Sequence, residues 1–423
     1  MKIVVLSINT SDSQVMAEPA RRLQELGISV DIHAWNHEEI DDDPLQLQEL
    51  IRQTQDADFT YIRCMSDVYR FKKFERYEKC FPKCRGFVFI YSGNPDVTIL
   101  QRKSFKGSED QFRELCKYCS NRGAENEYGL YLTAANYCGF TDMKAPEPVK
   151  PRTDGIYHPR YPRDITNEEY RKTLDPSKPT VGVVFTVTMW LYDNLKHVDR
   201  LIEIYESKGM NVIPLFYTAA SYNADGAKAT REIFSRYYTD NGQPIVDAIV
   251  IMTAFSFLNA SKENEGLGIP DDQNFYDFIT NVPVIHAIGI NGEYSDFETD
   301  KIGLNKHEIS SNVAFPELDG DIIGFPVSYT PSKSGMKKAR PIDDRIERMA
   351  ELTYNWATLR RKPASERKVA ILMWQSRPNS GCIGNAAGLD TPESIAGLLQ
   401  ELEKQGYSVD NVPENGRQMI EEI

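Results

Sequence analysis

The sequence has no run of about 18 apolar residues in its 423, which excludes a helical membrane span. Its opening apolar stretch, Lys2 to Ile8, is short and gives way at once to polar residues, so it does not read as a secretory leader. A cytoplasmic location is expected. Basic residues are in deficit: Lys and Arg number 49 against 62 Asp and Glu, a net charge of −13. That balance disfavours nucleic acid and anionic membranes as partners. The seven cysteines are an odd number and fit reduced thiols better than a disulfide framework. There is no Gly-Lys-Ser/Thr phosphate loop and no Gly-x-Ser-x-Gly nucleophile turn, and no repeat at solenoid spacing.

What is present is an alternation of strand and helix patterns. Buried-strand runs stand at Lys2–Ile8, Ile28–Trp35, Ala57–Arg63 and Phe87–Tyr91, with helical stretches at 12–26 and 108–138, the latter broken near Gly123 and Gly129. A second series offers strands at Val181–Val187, Val212–Tyr217, Asp247–Met252 and Val282–Ile288, with helices at 197–208 and 227–238 and a short one around Phe275–Ile279. Strands separated by helices pair in parallel. The predicted class is therefore α/β, built of consecutive doubly wound, Rossmann-like parallel-sheet units. Between the two series, 143–179 carries prolines at 146, 148, 151, 159, 162, 176 and 179, a density that excludes a regular element interior. The predicted organisation is 1–142 as an amino-terminal α/β domain, 143–179 as an ordered strap, 180–340 as a second α/β domain and 341–367 as a linking helix. The stretch 368–423 reads as the start of a truncated third α/β domain, with strands at Val369–Trp374 and Tyr407–Val409 around a helix near 392–404, capped by Thr391.

Few residues announce chemistry. Cys80-x3-Cys84 and Cys116-x2-Cys119 have enough thiolates for zinc or an iron–sulfur cluster. The second pair lies on a helical pattern without knuckle glycines, so buried free thiols are the better expectation. His33 and His37 are spaced as ligands on one helix face, but a strand end falls between them, and exposed loop histidines are expected. The loop Ser380–Gly388 follows a predicted strand and precedes a helix, the topology for anion binding by backbone N–H groups, or simply a turn permitting close packing. Pro316-Glu317-Leu318-Asp319-Gly320-Asp321 gathers three carboxylates, by composition a solvated acidic turn.

Three ordered blocks carry a resemblance. They are Gly155-Ile156-Tyr157-His158-Pro159, Val313-Ala314-Phe315-Pro316-Glu317-Leu318-Asp319-Gly320, and Ile383-Gly384-Asn385 with Gly388-Leu389-Asp390-Thr391-Pro392-Glu393-Ser394 and Gly406-Tyr407. Together they resemble the CobN/magnesium chelatase H-subunit family across 155–423. The resemblance implies an amino-terminal portion of a large subunit that binds a tetrapyrrole and receives a divalent metal as substrate. Cobalt with a corrin-type ring is favoured by the Leu389–Ser394 wording; magnesium with protoporphyrin, or a non-catalytic tetrapyrrole-binding protein, is the alternative. ATP would be used by separate AAA+ partner subunits, in keeping with the missing phosphate loop, and this chain alone is expected to be inactive. Metal insertion releases pyrrolic protons, so proton acceptors and a cation path are needed. His158, Glu317 and Asp319 are the candidates, with Asn385 and the loop glycines offering donors to ring carboxylates or amides, all facing one cleft.

Overall fold

The computed structural model describes residues 1–8, 17–64, 67–218, 230–254, 281–331, 338–374 and 384–422. Four strands, β1 (Lys2–Ile8), β2 (Asp31–Asn36), β3 (Phe59–Cys64) and β4 (Phe87–Ser92), form a wholly parallel sheet in the order β2-β1-β3-β4. Side chains alternate across it. Ile3, Val5, Phe59, Tyr61 and Phe89 pack with Leu115, Tyr118, Leu130 and Tyr131 on one face. Val4, Leu6, Ile62 and Ile90 pack with Leu47, Leu50, Phe74 and Tyr77 on the other. Both faces are covered, as a parallel sheet requires.

The chain breaks at Gly123, where φ is +91° and a Cβ would lie 3.2 Å from Leu191 Cδ2. Gly129 does not break the following helix, Ala124–Tyr137; its missing side chain lets the Tyr118 ring approach to 2.3 Å of where a Cβ would stand.

The second sheet begins with β5 (Asp154–Ile156), β6 (Thr180–Thr186) and β7 (Asn211–Tyr217). A two-stranded hairpin, β8 (Thr239–Asp240) and β9 (Gln243–Pro244), intervenes before β10 (Ala248–Ile251), β11 (Val284–Asn291), β12 (Ile322–Thr330) and β13 (Arg340–Pro341). The seven strands run β13-β12-β11-β10-β6-β7-β5, with only the edge strands β5 and β13 antiparallel. Val181, Val183 and Phe185 pack with Leu201, Tyr205, Ile346 and Met349; Val184, Leu215 and Ile249 pack with Ile233, Phe234 and Tyr238 on the opposite face.

Strand β12 escaped sequence reading because Gly324 and Pro326 interrupt it. Pro326 stands opposite Ile288, where the β11–β12 register shifts, and a bulge is where a strand tolerates proline. A Cβ on Gly324 would meet Met349 Sδ at 2.7 Å and the His286 carbonyl at 2.9 Å, so the close approach demands glycine. The helix Asp343–Arg361 then crosses the sheet, and its basic end does more than suit the dipole: Arg361 Nε lies 2.8 Å from the buried Asp247 carboxylate.

The strap is ordered by its own contacts. Val149 and Asn126 exchange two hydrogen bonds of 2.8 Å, and the Tyr170 hydroxyl donates to the Val212 carbonyl at 2.6 Å. Residues 368–374 form no strand, and Leu372 is 94% exposed; neither does Tyr407–Val409. A strand needs a neighbour to complete its ladder, and among the described residues these segments make only isolated backbone bonds, Gly384 N–H to the Trp374 carbonyl at 2.9 Å and Tyr407 N–H to the Leu402 carbonyl at 3.0 Å. The helix Thr391–Lys404 does form, but its cap is Asp390, whose side chain accepts from the Glu393 N–H, with Thr391 as first helical residue. His37 is buried at the start of a helix, not exposed in a loop. The predicted helix around 275–279 and the first four residues of the Ser380–Gly388 loop, 380–383, lie outside the described residues. No helix among the described residues is long and apolar enough to cross a membrane.

Candidate functional site

In open α/β sheets, ligands bind beyond the carboxyl ends of the strands, where the connections reverse direction. Here those points fall between β1 and β3 in the first sheet and between β6 and β10 in the second. The carboxyl end of β3 carries a buried ion pair that also touches the second unit. Arg63, next to last in β3, donates from Nη1 to Glu127 Oε1 at 3.0 Å, with side chains 10% and 4% exposed. Its Nη2 reaches the Tyr192 hydroxyl at 3.5 Å. Tyr192 directly follows the short helix Val187–Leu191, which itself leaves the carboxyl end of β6. The end of β3 thus lies against the segment departing from β6.

At the same edge of the second sheet, the strap and the sheet build a column of flat groups. Trp190 stacks on Phe216 with centroids 4.4 Å apart and planes 10° from parallel. The Arg163 guanidinium lies 5.0 Å above the Trp190 ring and donates from Nη2 to the Trp190 carbonyl at 2.6 Å. The Arg152 guanidinium lies 5.5 Å from the Phe216 centroid. Gly155 makes room for it: a Cβ there would stand 2.3 Å from Arg152 Nη2 and 2.8 Å from Phe216 Cζ. This is the physical reason for glycine at the head of the Gly155–Pro159 block. The buried Trp190 indole N–H has no hydrogen-bond partner among the described residues.

The residues singled out from sequence are not gathered in one cleft. His158 is buried in the strap between the Tyr161 and Tyr170 rings, at 5.1 and 5.9 Å. Its Nδ1 accepts the Arg160 backbone N–H at 3.2 Å, so in the neutral ring Nε2 carries the proton toward Glu206 Oε1, 3.2 Å away. Burial pushes its pKa down, against the opposing pull of Glu206. Glu317 is exposed and Asp319 half-buried, in the turn leading to β12. His158 follows β5 at the far edge; five strand spacings, about 24 Å, separate those strands. Asn385 is exposed, in the carboxy-terminal region. The shared-cleft expectation is therefore corrected: side chains that neighbour one another in motif wording sit on opposite margins of the sheet.

Sequence reasoning passed over the buried member of the acidic turn. Asp321 Oδ2 lies 3.7 Å from His286 Nδ1, both side chains 1% exposed, and none of their four polar atoms has a hydrogen-bond partner among the described residues. Burial raises the Asp321 pKa. His286 sits in an apolar strand and Asp321 closes an apparently solvated turn, so only the fold pairs them.

The cysteine pairs lie on opposite faces of the first sheet, Cys80 and Cys84 in one core and Cys116 and Cys119 in the other. They cannot ligate a common ion. Cys84 Sγ contacts the Cys80 carbonyl at 3.4 Å, and Cys119 Sγ the Tyr61 hydroxyl at 3.3 Å. Burial pushes the Cys116 thiol up to about 12, which disfavours a thiolate ligand. Among the described residues no cluster of three or more His, Cys, Asp or Glu is placed to hold a metal.

Comparison with known proteins agrees with this architecture. The chain is 27% identical over 321 residues to the aerobic cobaltochelatase subunit CobN of Pseudomonas aeruginosa, covering 74% of this chain and 24% of that protein. It is 28% identical over 301 residues to the chloroplastic magnesium-chelatase subunit ChlH of Oryza sativa, covering 67% and 20%. The catalytic subunit of cobaltochelatase from Mycobacterium tuberculosis has a similar fold, with a TM-score of 0.64 at 20% identity over all of this chain and 32% of that one. The chain spans between a fifth and a third of the length of these relatives. A family profile matches residues 116–423, through the strap, the second sheet and the carboxy-terminal helices, and the chain thus belongs to the CobN/Magnesium Chelatase family.

Proposed function

We propose that this chain is the amino-terminal portion of the large subunit of an ATP-dependent cobaltochelatase, and that it contributes to binding the corrin-type ring into which cobalt is inserted. The observation that carries this reading is the family match across residues 116–423. The contact of the β3 end with the second unit supports it, as does the shape of the two parallel sheets, read here as doubly wound units. The metal is a substrate, cobalt or in the alternative magnesium, and this chain holds no cofactor of its own in this reading. ATP hydrolysis belongs to AAA+ partner subunits, and the free thiols suit a cytoplasmic setting.

Magnesium insertion into protoporphyrin is the second reading, supported by an identity of 28% to ChlH beside 27% to CobN. In either case Glu317 and Asp319 remain proposed as exposed carboxylates on the cation's approach, and Asn385 as a donor to the ring periphery. His158, held by its tyrosine neighbours, is proposed to position the strap. Titrating the chain with hydrogenobyrinic acid a,c-diamide and with protoporphyrin, followed by ring absorbance, tests the proposal. Saturable binding of the first ring supports cobaltochelatase, and preference for the second moves the reading to magnesium. Binding of neither refutes a tetrapyrrole role for this chain. Metal insertion is expected only with the remainder of a large subunit and the partners present.

A further inference from the structure

We infer that the Arg152–Phe216–Trp190–Arg163 column is an anion site that receives a side-chain carboxylate of the tetrapyrrole; this rests on the tetrapyrrole reading above. The first ground is unspent charge in an acidic protein. Among the described residues Arg152 has no carboxylate within 4.0 Å, and its Nη1 finds only the Arg163 carbonyl at 3.4 Å. Among the described residues Arg163 makes one ion-pair contact within 4.0 Å, to Asp193 at 3.7 Å and 72% exposed, too solvated to neutralise it. The nearby Asp154 is already engaged by the Tyr237 hydroxyl at 2.7 Å and Arg236 at 3.6 Å.

The second ground is preorganisation. Each guanidinium lies over an aromatic face, which leaves the N–H edges as the available donors. The Arg152 to Arg163 carbonyl contact ties the two together, and the absence of a Cβ at Gly155 fixes where Arg152 can lie. A planar fork held in this way matches the two oxygens of a carboxylate and gains nothing comparable from an amide. The third ground is place. Arg152 sits just before β5, whose first residue pairs with the carboxyl-terminal residue of β7, so the column stands at the edge where parallel sheets bind ligands. The unpartnered Trp190 N–H adds a buried donor beside it.

Inorganic phosphate shares this chemistry, and the test separates the sources. Calorimetric titration is run with whichever of the two rings binds the wild-type chain more tightly, with its methyl ester, and with inorganic phosphate alone. The ester is expected to bind about tenfold more weakly than the free acid. Arg152→Gln and Arg163→Gln should each weaken the acid by a similar factor and erase the preference for acid over ester. Gly155→Ala, which displaces the Arg152 guanidinium without removing its charge, should do the same. Arg163 is exposed, so its variant is expected to keep the wild-type circular dichroism and remains informative should the others misfold. Equal binding of acid and ester by wild type, or an Arg163→Gln chain that binds the acid as wild type does, overturns the inference while the tetrapyrrole reading stands. Phosphate binding lost in the arginine variants, with ring binding unaffected, assigns the site to phosphate and also overturns it. No ring bound by wild type sinks the tetrapyrrole reading and the inference with it.

Discussion

His197 offers a quantitative test of the second core. It lies on the buried face of the helix Lys196–Ser207, 1% exposed, and its Nδ1 has no hydrogen-bond partner among the described residues. Burial alone lowers its pKa from 6.5 to about 4. The folded chain therefore takes up that proton less readily than the unfolded chain, and stability is lost as pH falls from about 6.5 toward 4. At ~1.36 kcal/mol per pH unit, the full gap amounts to about 3.4 kcal/mol, of which about 2 kcal/mol is gone by pH 5. His158, also lowered by burial, acts in the same direction. The perturbation is His197→Leu, which keeps the volume near that of the imidazole and removes the titration. The assay is urea unfolding of wild type and variant side by side at pH 7.5, 6 and 5, so that every other titrating group cancels in the difference. The variant should gain on wild type by about 2 kcal/mol between pH 7.5 and pH 5. A difference between the two chains that stays constant over that range would refute the argument that the imidazole is buried without a partner.

Other outcomes follow from the same packing. Glu127→Gln leaves Arg63 buried without its carboxylate and should cost about 3–5 kcal/mol in urea unfolding, while the paired replacement Arg63→Met with Glu127→Leu should recover most of it. Gly86→Ala places a Cβ 1.8 Å from the Asp58 carbonyl oxygen, a collision with backbone, so a loss of soluble, cooperatively melting protein is expected. Asp321→Asn should stabilise the chain at pH 7 but not at pH 3, by paired urea unfolding. With its folded pKa raised, the carboxyl contributes stability only when protonated, and that contribution fades as pH rises through the folded value. Limited trypsin digestion should spare the 143–179 strap under native conditions, because Asn126, Tyr118 and Val212 hold it; rapid cutting throughout the strap would contradict those contacts.

The sequence by itself determined the local elements whose signal is one-dimensional. Short apolar runs such as Val181–Phe185, with Gly182 inside it, favour buried strands, and apolar residues at helical spacing, as in Val198, Leu201, Ile202 and Tyr205, mark their own inner face. Proline density set 143–179 apart but did not exclude regular structure there, since β5 and the helix Asn167–Arg171 form inside it, and three ordered motifs placed the chain in its family. Tertiary structure decided everything that depends on which distant segments meet. Strand β12 exists despite Gly324 and Pro326 because a bulge in the β11 pairing accepts the proline and Met349 needs the space of the missing side chain. Val369–Trp374, whose pattern is as good, is not a strand, since among the described residues a lone backbone bond, Gly384 N–H to the Trp374 carbonyl, stands where a ladder would be needed. The motif residues His158 and Glu317 were separated across the sheet, while His286 was brought beside Asp321, Arg163 beside Trp190 and Arg152 beside Phe216. Periodicity reports which way a residue faces; only the strand order reports what it faces, because that order is set by crossover connections and by which side chains fill the space between them.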